Sequence, residues 1–209
     1  MEPDPAFWDR RAPGYDAKLP AKGVNYAARL RRVAEAVPAG GRLLDAGCAT
    51  GEITLDLAAG CGSVLGIDSS AAMIERAEAK AAGRGVANAS FRAVGLADPT
   101  LDGEAFDAVT AYSLLHLVDP AAALRRVRAL LRPGGVAVTE TPLLGDWAWG
   151  WRVLIAAASR TPAAPPVAML TRVGLEAAFA AAGLDVQESR VHNPRSGMHC
   201  ITARRPNGA

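Results

Sequence analysis

Cysteine is scarce in this chain. Cys48, Cys61 and Cys200 are an odd number at spacings that match no zinc pattern. That argues against a disulfide framework and a cysteine-built metal centre, so no metal is expected, and a reducing, cytoplasmic setting fits best. An excess of one charge is also missing. Lys and Arg total 23 against 21 Asp and Glu, a net charge of +2, too little for a nucleic-acid footprint. The arginines form no block: Arg29, Arg31 and Arg32 fall on one predicted helix and Arg125, Arg126 and Arg128 on another, where a solvated face is the expectation. Long apolar runs are absent as well. The longest, around Trp147–Ala158, contains Arg152 and falls short of the ~20 residues that span a bilayer. Met1–Arg10 is acidic and proline-bearing, without the apolar core of a signal peptide. Neither nucleic acid nor membrane is expected as a partner, and nothing in the pattern specifies an oligomeric state.

What is present is ordinary for a globular domain. Half of the 209 residues are apolar and 21% are charged, enough for one α/β domain with a full core. There is no internal repeat and no low-complexity linker, so residues 1–209 read as a single domain. Strands and helices alternate, which favours a mostly parallel sheet covered on both faces. An N-terminal helical cap fills residues 1–40, with a short piece near Phe7–Tyr15 and a longer one near Val24–Val37. Strands are predicted at Arg42–Ala46, Ser63–Asp68, Ala89–Val94, Phe106–Tyr112 and Val136–Thr141. Helices are predicted from Glu52 to Ala59, after a Ser69 or Ser70 cap to Gly83, and from Pro120, capped by Asp119, to the stop at Pro133-Gly134-Gly135. Thr171 caps a last helix that stops at Gly183. Strands near Leu184–His192 and Met198–Arg204, joined by a short turn, should pair as an antiparallel hairpin. Residues 143–170 are less regular and read as an insertion on the substrate side.

The strongest local signal is the strand-to-helix turn Asp45-Ala46-Gly47-Cys48-Ala49-Thr50-Gly51. Glycine lets a backbone approach a ligand closely, and the N–H groups opening a helix are ready to receive an anion. Roughly 20 residues on, the second strand ends in Asp68, where a carboxylate can accept both hydroxyls of a ribose. Together with Val64-Leu65-Gly66-Ile67-Asp68, Phe106-Asp107-Ala108-Val109, Leu130-Leu131-Arg132-Pro133-Gly134-Gly135 and the N-terminal Phe7-Trp8-Asp9 with Tyr15-Asp16, this turn resembles the motif series of class I S-adenosylmethionine (SAM)-dependent methyltransferases, small-molecule type, over nearly the whole chain.

That resemblance implies a Rossmann-like, doubly wound α/β sheet of seven strands, mostly parallel with the last strand antiparallel and helices on both faces. It implies SAM as cofactor and S-adenosylhomocysteine as product. Gly47 and Gly51, with the backbone of Cys48 and Ala49, would contact the methionine part, and Asp45 would order the turn and meet the ammonium. Asp68, followed by Ser69, would hold the ribose; Met73 would border the adenine, and Tyr15 would close over the cofactor. Ala49 stands where the family most often has glycine, which is tolerated at negative φ and strained at positive φ. Gly95 stands where an acidic residue usually meets the adenine amino group, leaving backbone contacts from Leu96 or compensation by Asp98.

Methyl transfer from a sulfonium needs alignment above all, and a base only when the acceptor must lose a proton. His116, following the fourth strand, is the candidate base, Tyr15 a weaker one; a capping or packing role competes for His116. His192 and His199 read as strand-end residues, and Cys48 as a small buried one. Trp147, Trp149 and Trp151 either cover an apolar or aromatic acceptor or pack as an insertion against the sheet edge. A membrane-surface helix ranks third, for lack of a basic flank. The expected activity is methylation of a small molecule. A macromolecular methyltransferase and a non-catalytic SAM-binding protein are the alternatives; a nicotinamide dehydrogenase fails because Gly47-x-Ala49-x-x-Glu52 lacks the required glycines.

Overall fold

The computed structural model describes residues 4–18, 24–161, 164–193 and 197–208. One seven-stranded sheet organises them, in the order β3-β2-β1-β4-β5-β7-β6. The strands are β1 (Arg42–Ala46), β2 (Ser63–Ile67), β3 (Ala89–Arg92), β4 (Phe106–Tyr112), β5 (Leu131–Pro142), β6 (Asp185–Asn193) and β7 (Met198–Arg204). β1 to β5 are parallel, and β7 runs antiparallel to both β5 and β6. This is the expected Rossmann-like arrangement. The turn joining β6 to β7, residues 194–196, lies outside the described residues, as does the side chain of His192.

Successive residues of a central strand face opposite layers, and both layers are covered. Leu43, Ala108, Val136 and Val138 pack with Val33 and Val37 of α2 (Val24–Ala36) and Leu57 of α3 (Glu52–Ala58). Their neighbours Leu44, Val109 and Ala137 pack with Leu124, Val127 and Leu130 of α5 (Pro120–Leu130) and Leu175 and Phe179 of α7 (Arg172–Ala181). α4 (Ala71–Arg84) meets α3 over Phe91 of β3. Asp4 caps the short α1 (Pro5–Asp9), and Ser70, Asp119 and Thr171 cap α4, α5 and α7 through side-chain oxygens that accept from backbone N–H groups. Gly85, in the left-handed region at φ +65°, ends α4 two residues beyond the expected Gly83.

Three expectations are corrected. First, β5 begins at Leu131 instead of Val136. Phe106 pairs with Leu131 but Ala108 already pairs with Val136, so Arg132 to Gly135 bulge opposite Asp107. A Cβ on Gly135 would sit 3.0 Å from the Asp107 carbonyl, which is why this stretch can stay beside β4. Second, Trp149–Ala158 forms a helix, α6, with no buried residue. Trp149 and Trp151 are exposed on it, so these two do not pack against the sheet edge, whereas the Trp147 indole lies beside Gly197, just before β7. Third, several arginines expected in solvent are tied inward. Arg29 forks onto the buried Glu140 carboxylate at 2.5 and 2.8 Å and lies over the Tyr112 ring. Arg32 is buried beside Glu188, 3.6 Å away. Arg126 returns to the loop after β3, as described below.

A buried ion pair costs more to halve than to replace. Arg29→Ala is expected to lower the unfolding free energy by about 3–5 kcal/mol, whereas Arg29→Met with Glu140→Leu recovers most of it. Urea denaturation of the two variants reads the difference.

Candidate active site

The carboxyl ends of parallel strands leave their turns on one edge of the sheet, and open α/β folds form ligand crevices there. A cavity of about 450 Å³ occupies this edge. Its walls come from the turns after β1, β2, β3 and β4, from the start of α5, and from Trp8 and Tyr15 of the N-terminal segment. No described residue of 143–170 lines it.

The turn after β1 is held to the turn after β2. Gly47 and Cys48 both donate their N–H groups to the Ile67 carbonyl, at 2.8 and 2.9 Å. Ala49 N–H donates to Asp68 Oδ2 at 3.0 Å, and Ser70 N–H donates to Asp68 Oδ1 at 2.9 Å. The N–H groups of residues 47–49 therefore already have protein acceptors. Asp68 is left as the principal polar group, one hydrogen bond on each oxygen and further lone pairs available. Burial raises its pKa above the ordinary carboxylate value, although the two N–H groups work the other way.

The left-handed conformation recurs along the turn: Gly47 and Gly51 at φ +73°, Ala49 at +48°. Ala49 is thus in the strained alternative. Gly51 has a different reason to be glycine. A Cβ there would approach Ala77 Cβ to 2.8 Å and Phe91 Cε1 to 3.0 Å, so this position serves the packing of α3 on α4.

The structure brings Tyr15, Gly47, Ala49, Asp68, Ser69, Met73, Gly95, Leu96 and His116 together on the cavity. It leaves Asp45, Cys48 and Gly51 outside its lining. Asp45 is buried beneath the turn, where Thr54 Oγ1 and Thr110 Oγ1 donate to it at 2.6 and 2.7 Å. Burial pushes its pKa up to about 6 against the pull of those two hydroxyls. His116 places Nδ1 3.2 Å from Thr141 Oγ1, and its carbonyl accepts from Ala168 N–H at 2.7 Å. Burial lowers its pKa to about 4, so the ring is neutral at pH 7. Burial also raises the Tyr15 pKa, with Asp68 and Asp16 adding to it. His199 lies outside the cavity, its Nε2 2.8 Å from Ser189 Oγ.

Two carboxylates fasten the N-terminal segment. Asp9 Oδ1 accepts from Ser70 Oγ at 2.6 Å and from Ala72 N–H at 3.2 Å. Asp16 Oδ1 accepts from Thr50 Oγ1 at 2.5 Å and from Lys80 Nζ at 2.8 Å. Trp8 and Tyr15 each immediately precede one of these fixings.

Sequence reasoning missed several lining residues. Tyr112 and Ser113 end β4, where the strand-end rule could have found them; Ser113 has φ +55°. Arg126 was read as a solvated arginine of α5. Instead it donates from Nε to the Leu96 carbonyl (3.1 Å) and from Nη2 to the Asp98 carbonyl (2.9 Å), and pairs with Asp102. It holds the loop that carries Gly95 and Leu96. Asp98 itself is absent from the lining and accepts from Thr100.

Residues 43–135 match the family model of a methyltransferase domain. Nocamycin O-methyltransferase of Saccharothrix syringae is 36% identical over 155 residues, 68% of this chain and 54% of its own. Demethylmenaquinone methyltransferase of Roseiflexus castenholzii is 33% identical over 71% of this chain and 67% of its own. The chain spans about half to two thirds of the length of these and two further curated relatives. Among solved structures, geranyl diphosphate C-methyltransferase of Streptomyces coelicolor shares the fold at a TM-score of 0.72 and 19% identity, covering 86% of this chain and 79% of that one. The chain belongs to the class I SAM-dependent methyltransferase family.

Two measurements test this geometry on the ligand-free protein. A carboxyl group whose folded pKa is raised stabilises the fold only while protonated, so its contribution is complete below the unfolded value and is lost as pH rises through the folded one. Between the ordinary 3.8 and about 6 for Asp45, the wild type is expected to lose about 2 kcal/mol relative to Asp45→Asn on going from pH 4 to pH 7, read from urea unfolding at the two pH values. Ala49→Gly removes the left-handed strain and is expected to gain up to about 1 kcal/mol, after allowing for the freer unfolded chain; an unchanged urea midpoint would contradict the conformation at this residue.

Proposed function

We propose that this chain transfers a methyl group from SAM to a small, apolar or aromatic acceptor by in-line displacement. The observation that carries the proposal is Asp68. Its two oxygens are each fixed by a backbone N–H from a different turn, and the carboxylate lines a cavity of about 450 Å³ at the carboxyl edge of the sheet. A carboxylate so fixed suits the two neighbouring hydroxyls of a ribose. Gly47 borders the same space without a side chain, and Asp45 beneath the turn, partnered by two hydroxyls, favours a nearby cation such as an ammonium.

The donor set fits SAM, which supplies the methyl group as an electrophilic sulfonium when bound. The protein's own part is binding, alignment and exclusion of water. Asp68, with Ser69 beside it, takes the ribose. Met73, Gly95 and Leu96 wall the adenine end, where Arg126 holds the loop in place of a direct acidic contact. Gly47, Ala49 and Tyr15 border the methionine end. Trp8 and Tyr15 limit access of water, fastened by Asp9 and Asp16. Leu114, Leu117 and Val118 make much of the remaining wall apolar, which supports an apolar acceptor.

His116 faces this space as a neutral imidazole. Thr141 occupies its Nδ1, so Nε2 is the nitrogen offered to an acceptor's hydroxyl or N–H. With a conjugate acid near pKa 4 it is a weak base, suited to an acceptor that is already acidic or that needs only orientation. Relatives named for nocamycin O-methylation and for demethylmenaquinone methylation support a small-molecule acceptor.

Titration calorimetry with S-adenosylhomocysteine tests the cofactor assignment. Asp68→Ala is expected to weaken binding by about a hundredfold, the weight of two hydrogen bonds to a charged group. Equal affinity in the variant would defeat the ribose assignment.

A further inference from the structure

Among the described residues, none covers α6 enough to bury any part of it. All ten residues, Trp149–Ala158, escape burial. Trp149 is 77% exposed, Trp151 60%, Leu154 61% and Val153 46%. Fully burying a large apolar side chain is worth about 1.5–3 kcal/mol, and this helix forgoes that gain at four positions. Ten residues is also below the ~12–15 at which an isolated helix sustains itself in water. A helix of this composition needs a second apolar surface.

The charges around it indicate which surface. From Trp147 to Thr171 the sequence contains Arg152 and Arg160 and no Asp or Glu. In a two-fold dimer the same patch faces itself, so these arginines would meet their own copies without a compensating acid. An anionic lipid surface supplies both missing elements. Tryptophan favours the interface between headgroups and acyl chains, and arginine can lie along apolar surface while its guanidinium reaches lipid phosphate.

We propose that α6 is a membrane-surface anchor. Its apolar side chains, Trp149, Trp151, Val153 and Leu154, seat at the headgroup boundary of an anionic bilayer, with Arg152 and Arg160 on the phosphates. The helix is far too short to cross, and among the described residues no helix is long and apolar enough to do so. This reverses the sequence-based expectation of no membrane partner. The basic residues sought in the flanks lie within and just after the helix. The segment is pinned where it leaves and re-enters the body: Gly145 N–H donates to the Leu170 carbonyl at 2.8 Å, and Ala168 N–H to the His116 carbonyl at 2.7 Å. The anchor therefore springs from the His116 side of the cavity. The proposal does not depend on the reaction assigned above.

Flotation of the full chain with lipid vesicles tests it. The protein is expected to float with mixed phosphatidylcholine–phosphatidylglycerol vesicles and to stay behind with phosphatidylcholine alone, its tryptophan emission shifting to shorter wavelength on binding. Trp149→Ser with Trp151→Ser should abolish flotation. Arg152→Gln with Arg160→Gln should weaken it about thirty-fold, the weight of two surface charges. Both variants should melt and bind S-adenosylhomocysteine as the wild type does. Failure of the wild type to float, or equal flotation by the tryptophan variant, overturns the proposal. A solution dimer that the tryptophan variant converts to monomers, with no flotation, assigns the helix to a second copy of the chain instead.

Discussion

The Ile67 carbonyl and the Asp68 carboxylate hold three consecutive N–H groups of the neighbouring turn. On this set of bonds the working edge of the molecule depends. The β1 turn must curl back toward β2 to make them, and it does so through left-handed residues at Gly47 and Ala49. The curl places Thr50 where it can donate to Asp16, and so brings Tyr15 to the cavity. Ser70, one bond from Asp68, serves in turn as the cap of α4 and as a donor to Asp9. One carboxylate thus sets the spacing of two strand ends, the start of one helix and the N-terminal segment.

Burial pulls both ways on this edge. It raises the pKa values of Asp45 and Asp68 and lowers that of His116, in each case by disfavouring the charged form. The partners of the two acids are hydroxyl and N–H groups, which soften the effect without cancelling it. Away from the cavity the opposite solution appears: Glu140, equally buried, has a full guanidinium from Arg29. That structural carboxylate is neutralised by the chain itself, whereas Asp45 and Asp68 are held by dipoles alone.

Much of this was legible from short-range pattern. The alternation of strand and helix, the caps at Ser70, Asp119 and Thr171, and Asp68 at a strand end all follow from local rules, and the strands other than β5 begin and end within two residues of expectation. What escaped depends on residues distant in sequence. Arg29 looks like a solvated helix arginine until Glu140, 111 positions away, is brought beneath it. Arg126 finds its acceptors in a loop thirty residues earlier. Gly51 reads as a ligand-binding glycine, yet the atoms that exclude a side chain there belong to Ala77 and Phe91. β5 lengthened because its glycines allow a bulge against Asp107, and composition alone could not choose between that and a helix stop. Trp149 and Trp151 carried the opposite lesson, since apolar composition predicts burial and the fold leaves them out.

The position of β7 has a consequence for how the chain is made. β7 lies between β5 and β6, so residues 198–204 must arrive before β5 gains its outer neighbour. On the ribosome 55 residues separate the end of β5 from the start of β7, about 3–11 s at ordinary rates of ~5–20 residues per second. Throughout that interval β5, rich in valine and threonine, presents an unpaired edge of the kind that invites misassembly. The nascent chain presents this edge when the lining residues of the candidate cavity, the last of them Arg126, are already translated.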